Sequence, residues 1–263
     1  MTRSGPFVGL AFGAVLLTSC GGGDEPDQAA PAPTTTAAAG GTVIVLAAAS
    51  LTESFERLGE QLTAANPGLE VVFSFGPSSG LVEQVLAGAP ADVLATADTR
   101  TMDDAVAGGA VEGEPEVFAR NTLTLAVPAG NPGKVTGLAD LARPELTIAI
   151  CEPEVPCGAA SERLLTAAGV VAAPDTLTTD VKEAMSLVAL GEVDAALVYR
   201  TDAAAEGDAV DTVEVPEAAE VVNDYPVAVL VGAPNPAGAQ LVVDAITGEP
   251  GQAILAESGF LAP

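Results

Sequence analysis

Thr42-Val43-Ile44-Val45-Leu46-Ala47-Ala48-Ala49-Ser50-Leu51-Thr52-Glu53 is where the chain changes period. Its first five residues are β-branched or leucine with no polar interruption, the pattern of a strand buried on both faces. Beyond it Leu51, Phe55, Leu58 and Leu62 recur at helical spacing. The three alanines between keep bulk away from the joint, so that something can approach the backbone closely. Ser50 followed three residues later by Glu53 reads as a capping box: the serine oxygen accepts from a first-turn N–H and its proton stays free to donate. Such a helix start also offers unpaired N–H groups and about half a unit of positive dipole charge, which together suit a small anion. An ordinary βα unit can carry the same cap, so the joint alone does not assign a function.

Outward from this joint the alternation repeats. Residues 69–75 (LEVVFSF) alternate as a strand, 76–80 (GPSSG) read as a turn, and a helix begins at Leu81. A strand is expected over 91–97, a helix through Met102 and Val106, and a strand over 121–128 that ends in Ala129-Gly130-Asn131-Pro132-Gly133. A second set follows: strand 145–151, helices 159–168 and 181–190, and strands 195–199 and 212–215. The chain closes with a strand at 225–231 and two helices within 236–260. Strand and helix in alternation predict an α/β fold whose mainly parallel sheets are flanked by helices. Two such assemblies joined by strands near 121–127 and 221–229 predict two lobes. The first comprises 42–122 with 225–263, the second 123–224, and the C-terminal helices return to the first.

The amino end carries different information. Arg3, an apolar stretch over 7–17 and then Leu17-Thr18-Ser19-Cys20 read as a signal peptide covering 1–19, too short to span a bilayer. Its end resembles a bacterial lipobox, which would make Cys20 the lipid-bearing residue that anchors the chain to the extracytoplasmic face of the cell membrane. An ordinary signal peptidase site with Cys20 incidental is the alternative. Residues 20–41, rich in Gly, Pro, Ala, Thr and Asp, offer almost nothing to bury and read as a flexible linker.

Composition removes several function classes. The whole chain has 36 acidic and 9 basic residues, net −27, or −28 once Arg3 leaves with the signal segment. That balance argues against nucleic acid and against electrostatic adhesion to anionic lipid. There is no histidine, so the commonest general base and metal ligand is missing and most enzyme readings weaken. Outside the cytoplasm Cys151 and Cys157 are expected to pair as a disulfide pinning the loop between them, with two free thiols as the alternative. Their spacing is not C-x-x-C, which disfavours redox catalysis.

Four helix starts and one strand end carry donors of the same style. These are Ser50, the Ser78-Ser79 pair, the N–H of Cys157 after Pro156, the N–H of Val181 beside the cap Asp180 and Glu183, and the phenol of Tyr199. In this order the segments AAASLTESF, SFGPSSGL, GAPADVLATAD, PEVPCGAAS, DVKEAMSLV, DAALVYRTDA, YPVAVL and GQAILAESGF resemble the extracytoplasmic molybdate-binding proteins of ABC-type uptake systems. The likeness spans about 42–260.

The resemblance implies a two-lobed periplasmic-binding-protein fold of the class II type, with a tetrahedral oxyanion held in the interlobe cleft by hydroxyls and main-chain N–H groups. No basic side chain takes part, and no protein atom bonds the molybdenum directly. Carried over position by position, the ligand set is Ser50, Ser78, Cys157, Val181 and Tyr199. Pro77 departs from the small residue usual beside the serine loop, which leaves Ser79 as an alternative to Ser78. The ligand implied is molybdate or tungstate, with no cofactor, a monomeric chain and an ABC permease as partner. The rivals are the same fold serving sulfate or an organic anion, and a lipoprotein hydrolase using Ser50 or Ser78. The hydrolase is disfavoured by the missing histidine and by the lack of a lysine base other than Lys134 or Lys182.

Overall fold

The computed structural model describes residues 40–263. The signal segment 1–19, Cys20 and the linker as far as residue 39 lie outside the described residues. The folded chain opens with β1 (Gly41–Ala48), one residue before the expected strand, then a single 3-10 turn (Ala49–Leu51) and α1 (Thr52–Ala65). Next come β2 (Leu69–Gly76), α2 (Ser78–Leu86), β3 (Val93–Ala95), α3 (Thr99–Ala107) and the long β4 (Val111–Pro128). The middle of the chain forms β5 (Ile148–Cys151), α4 (Pro156–Ala168), β6 (Thr176–Thr178), α5 (Val181–Ala189), β7 (Ala195–Tyr199), α6 (Arg200–Glu206) and β8 (Val210–Val213). Then β9 (Val222–Leu230), α7 (Pro236–Thr247) and α8 (Glu249–Glu257) end it.

The sheet order is β2-β1-β3-β9-β4-β7-β5-β6, with β8 on the far part of β4. Pairing is parallel within β2-β1-β3 and within β7-β5-β6, each joined by helical crossovers. The two groups are linked by β4 and β9, which run antiparallel to each other and to their neighbours. β4 pairs with β9 through Thr122 and with β7 from Leu123 onward, so the chain passes from one group to the other between those two residues. It returns where β9 begins at Val222. The strands β3, β5 and β7 are wholly buried, as is β1 from Val45 onward, while Thr42 is exposed and Ile44 half-buried; burial on both faces explains their apolar letters. The last two helices pack on α1, and Phe260 meets Tyr225 of β9 at 5.4 Å between ring centroids.

Several expected bounds shift: β5 begins at Ile148 and not at 145, α4 at Pro156 and not at 159, and β8 spans 210–213 and not 212–215. Three differences from expectation are larger. α2 begins at Ser78, inside the stretch read as a turn, because Pro77 takes an extended backbone (φ −62, ψ 130) and hands the helix its first carbonyl. α6 follows β7 directly and β6 is a three-residue edge strand; neither has enough periodic residues to register in the letters. β4 extends back to Val111 through register shifts against β9, which hide the alternation of 111–120.

Candidate functional site

The ends of β1, β2, β3 and β7 and the starts of α2, α4 and α5 converge on one cavity. It is lined among others by Ala48, Ala49, Ser50, Gly76, Ser78, Ala97, Cys157, Val181 and Tyr199. It is small, with ≈ 220 Å³ of atom-free space even when the open solvent at its entrance is included. The five residues singled out from the sequence meet here although they are spread over 150 positions of chain, from Ser50 to Tyr199. Ser79 is half-buried and is not among the lining residues. No lysine or arginine lines the cavity, and its one acidic residue, Asp180, is occupied in capping α5.

Each donor is presented by a local cause. Ser78 Oγ accepts from the Ala97 N–H at 3.0 Å, which leaves its own proton unused. Pro156 sits in the first turn of α4, where its missing N–H costs nothing, and Cys157 follows with its N–H in the unpaired first turn. Cys157 is joined to Cys151 by a disulfide with 5.8 Å between Cα atoms. The bridge folds the loop back over the start of α4, so closely that a Cβ on Gly158 would run into the Glu152 carbonyl oxygen. At α5 the Asp180 carboxylate accepts from the Glu183 N–H at 2.9 Å, while Glu183 reaches back to the N–H and hydroxyl of Thr179. That is a capping box displaced by one residue, and it leaves Val181 N–H at the helix tip.

The capping box expected at Ser50 does not form. α1 starts at Thr52 with no side-chain cap, and Ser50 lies within the preceding 3-10 turn. Its hydroxyl instead lies 3.0 Å from the Tyr225 hydroxyl, and Glu53 leaves the helix end to pair with Lys182 Nζ at 2.6 Å. The tight turn after β1 rotates the serine toward β9, and a buried phenol 175 residues away replaces the cap. No local pattern encodes that partner.

Tyr199 and Tyr225 are both buried, with rings edge-on at 5.9 Å. Burial, with Tyr225 and the Asp98 carboxylate nearby, holds the Tyr199 phenol well above its ordinary range. Burial does the same to Tyr225, opposed in part by its hydrogen bonds with Ser50 and Asn121. Both phenols therefore stay neutral and able to donate.

Two contacts join groups on either side of the cavity. Lys182 of α5 is shared between Glu53 of α1 and Asp202 of α6, and Arg100 Nη2 of α3 donates to the Glu154 carbonyl in the disulfide loop at 2.8 Å. Lys182 Nζ lies 3.1 Å from Asp202 Oδ1 but off the line that a hydrogen bond needs, so that contact is Coulombic. Burial pushes the Asp202 carboxyl up to about 6 against the pull of Lys182. Tyr225, Asn121, Asn223 and this charged triad escaped sequence reading. The letters carry at most a weak cue, polar residues inside otherwise apolar strands.

The arrangement can surround a small oxyanion with neutral donors and offers it no cation. Among the described residues no group of three acids or cysteines is placed to hold a metal ion, and no helix is long and apolar enough to cross a membrane.

Comparison with known proteins points the same way. The model of the family "Bacterial extracellular solute-binding protein" matches residues 43–261. The molybdate-binding protein ModA of Mycobacterium tuberculosis (strain ATCC 25618 / H37Rv) is 43% identical over 215 residues, 82% of each chain. The periplasmic molybdate-binding protein of Azotobacter vinelandii superposes with a TM-score of 0.71 at 24% identity, covering 84% of this chain and 99% of that one. The sulfate-binding protein SubI of Mycobacterium tuberculosis H37Rv superposes with a TM-score of 0.70 at 19% identity, covering 83% and 86%. The last two likenesses bear on the fold alone.

Proposed function

This chain belongs to the family of bacterial extracellular solute-binding proteins, and from that membership we propose that it captures molybdate in the cavity described above and delivers it to an ABC permease. The observation that carries the reading is the convergence of Ser50, Ser78, Cys157, Val181 and Tyr199 on a small cavity with no cation in its lining. Ser50 and Ser78, each through its hydroxyl and its N–H, the N–H groups of Cys157 and Val181, and the phenol of Tyr199 are the ligand donors. The bodies that close on the ion are 42–122 with 225–263 and 123–224, a division supported by the chain crossings at 122–123 and 222.

A chain of such negative charge can bind a dianion because surface carboxylates farther off than about 8 Å are screened at physiological salt. Inside the closed cleft about seven charge-assisted hydrogen bonds, at about 1.5–3 kcal/mol each, exceed the cost of association of about 4–15 kcal/mol. The donors respond to charge and geometry and not to the central atom. Tungstate, of the same charge and shape, is therefore a ligand too, and sulfate is held off by cavity size. The protein works as a monomer at the extracytoplasmic face, anchored by a lipid on Cys20, and has no catalytic role.

Calorimetric titration of the purified protein with molybdate, tungstate, sulfate and phosphate tests this. One-to-one binding of molybdate and tungstate without sulfate is the expected result. Tight sulfate binding would move the protein to the rival ligand, and silence toward all four anions would overturn the reading.

A further inference from the structure

The cavity hydroxyls could each either donate or accept, and an oxyanion without a proton needs them to donate. Two asparagines on the crossing strands bear on that direction. Asn121 of β4 has its Oδ1 engaged by the Thr122 N–H at 2.9 Å, which turns its amide nitrogen toward Thr201 Oγ1 at 2.9 Å and the Tyr225 hydroxyl at 3.4 Å. Asn223 of β9 has its Oδ1 engaged by Arg163 Nη2 at 2.5 Å, and its amide nitrogen donates to the Ala97 carbonyl at 2.9 Å and to the Tyr199 hydroxyl at 2.8 Å. Each tyrosine oxygen is thus an acceptor from the scaffold. Both asparagines are at most 2% exposed, so no bulk water competes for these bonds.

We propose that Tyr225 and Asn121 are positioning residues that fix the direction of the Ser50 proton. Asn121 donates to Tyr225, Tyr225 donates to Ser50 Oγ at 3.0 Å, and the Ser50 proton is left to point at the ligand. Asn223 plays the same part for Tyr199, and the Ala97 N–H plays it for Ser78. A buried Tyr225 proton without an acceptor would cost more than a typical hydrogen bond returns, so the chain keeps its polarity. The consequence is a donor-only cavity, selective for anions that carry no proton. A hydrogen phosphate would bring an O–H against another donor. This inference rests on the oxyanion reading of the cavity and deepens it.

The test is a cycle of Ser50→Ala, Tyr225→Phe and the double variant, titrated with molybdate. Tyr225→Phe alone is expected to weaken binding about tenfold, and to change it less than about twofold when Ser50 is already alanine. Equal, additive losses in both backgrounds would mean that Tyr225 only packs, and would overturn the relay. A measurement without ligand separates this from the oxyanion reading. In mixed H2O and D2O the 13Cζ signal of Tyr225 should report a slowly exchanging hydroxyl proton in the wild type, and faster exchange with a displaced signal in Ser50→Ala. An unchanged Tyr225 signal in Ser50→Ala overturns the relay whatever anion binds. A wild type that ignores molybdate yet shows the Tyr225 response overturns the ligand and leaves the relay standing.

Discussion

Replacing Asp202 by asparagine should make the protein more stable at neutral pH and leave it almost unchanged in acid. Asp202 is 1% exposed on α6, its Oδ2 has no partner among the described residues, and Lys182 meets only Oδ1, at a poor angle. Burial raises its pKa from 3.8 to about 6, with Lys182 lowering it and Glu53 and Asp180 adding to the rise. Between those two values the folded protein holds a proton that the unfolded chain has released. Stability therefore falls as pH rises through that window. At about 1.4 kcal/mol per pH unit the loss amounts to about 3 kcal/mol by pH 7. Asparagine has the shape of the protonated acid and never ionises, so Asp202→Asn should match the wild type near pH 4 and exceed it by up to about 3 kcal/mol at pH 7. Urea unfolding of both proteins at half-unit steps from pH 4 to 8 reads the difference. A constant gap across that range, or a variant less stable at pH 7, would show that Lys182 fully compensates the buried charge and would refute the reasoning.

Glu53→Gln and Lys182→Met each cut the contact between α1 and α5, and should speed molybdate release about two- to fivefold at low salt in stopped-flow chase experiments. The effect should fade at high salt, because the Glu53 and Lys182 side chains are 49% and 24% exposed. Gly158→Ala forces a Cβ against the Glu152 carbonyl and should lower both the melting temperature and the molybdate affinity, since the Cys157 N–H moves with the displaced helix start. Reduction of the Cys151–Cys157 bridge, which spans six positions of sequence, should cost about 2 kcal/mol in denaturant unfolding. It should also weaken binding, and serine at both positions should reproduce the reduced state.

Residues 41–65 show how far letters reach. The β1 run, the helical spacing of Leu51, Phe55 and Leu58, and the anion-friendly joint were legible because strand and helix impose periods of two and 3.6 on neighbours along the chain. The same holds for the starts of α4 and α5, where Pro156 and Asp180 mark the helix ends by local rules. Ser50 marks the limit. Its letters spell a capping box with Glu53, yet the structure turns the serine to Tyr225 and sends Glu53 to Lys182. The local cap is weak enough to be displaced when a buried phenol needs a partner. The choice between Ser78 and Ser79 was open for the same reason: adjacent serines on a helix start point in different directions, and only the packing of α2 selects the one that reaches Ala97.

Periodicity and helix-end chemistry depend on residues within about four positions of each other, and so the α/β class, most elements and the candidate donors were present in the amino-acid order itself. The resemblance then ordered those donors into one site. The direction of each hydroxyl proton, the charged contact between Glu53 and Lys182 and the raised pKa of Asp202 depend on groups brought together from up to 175 positions apart and stripped of water. Burial and long-range pairing exist only once the sheet has assembled, and so tertiary structure alone decided them.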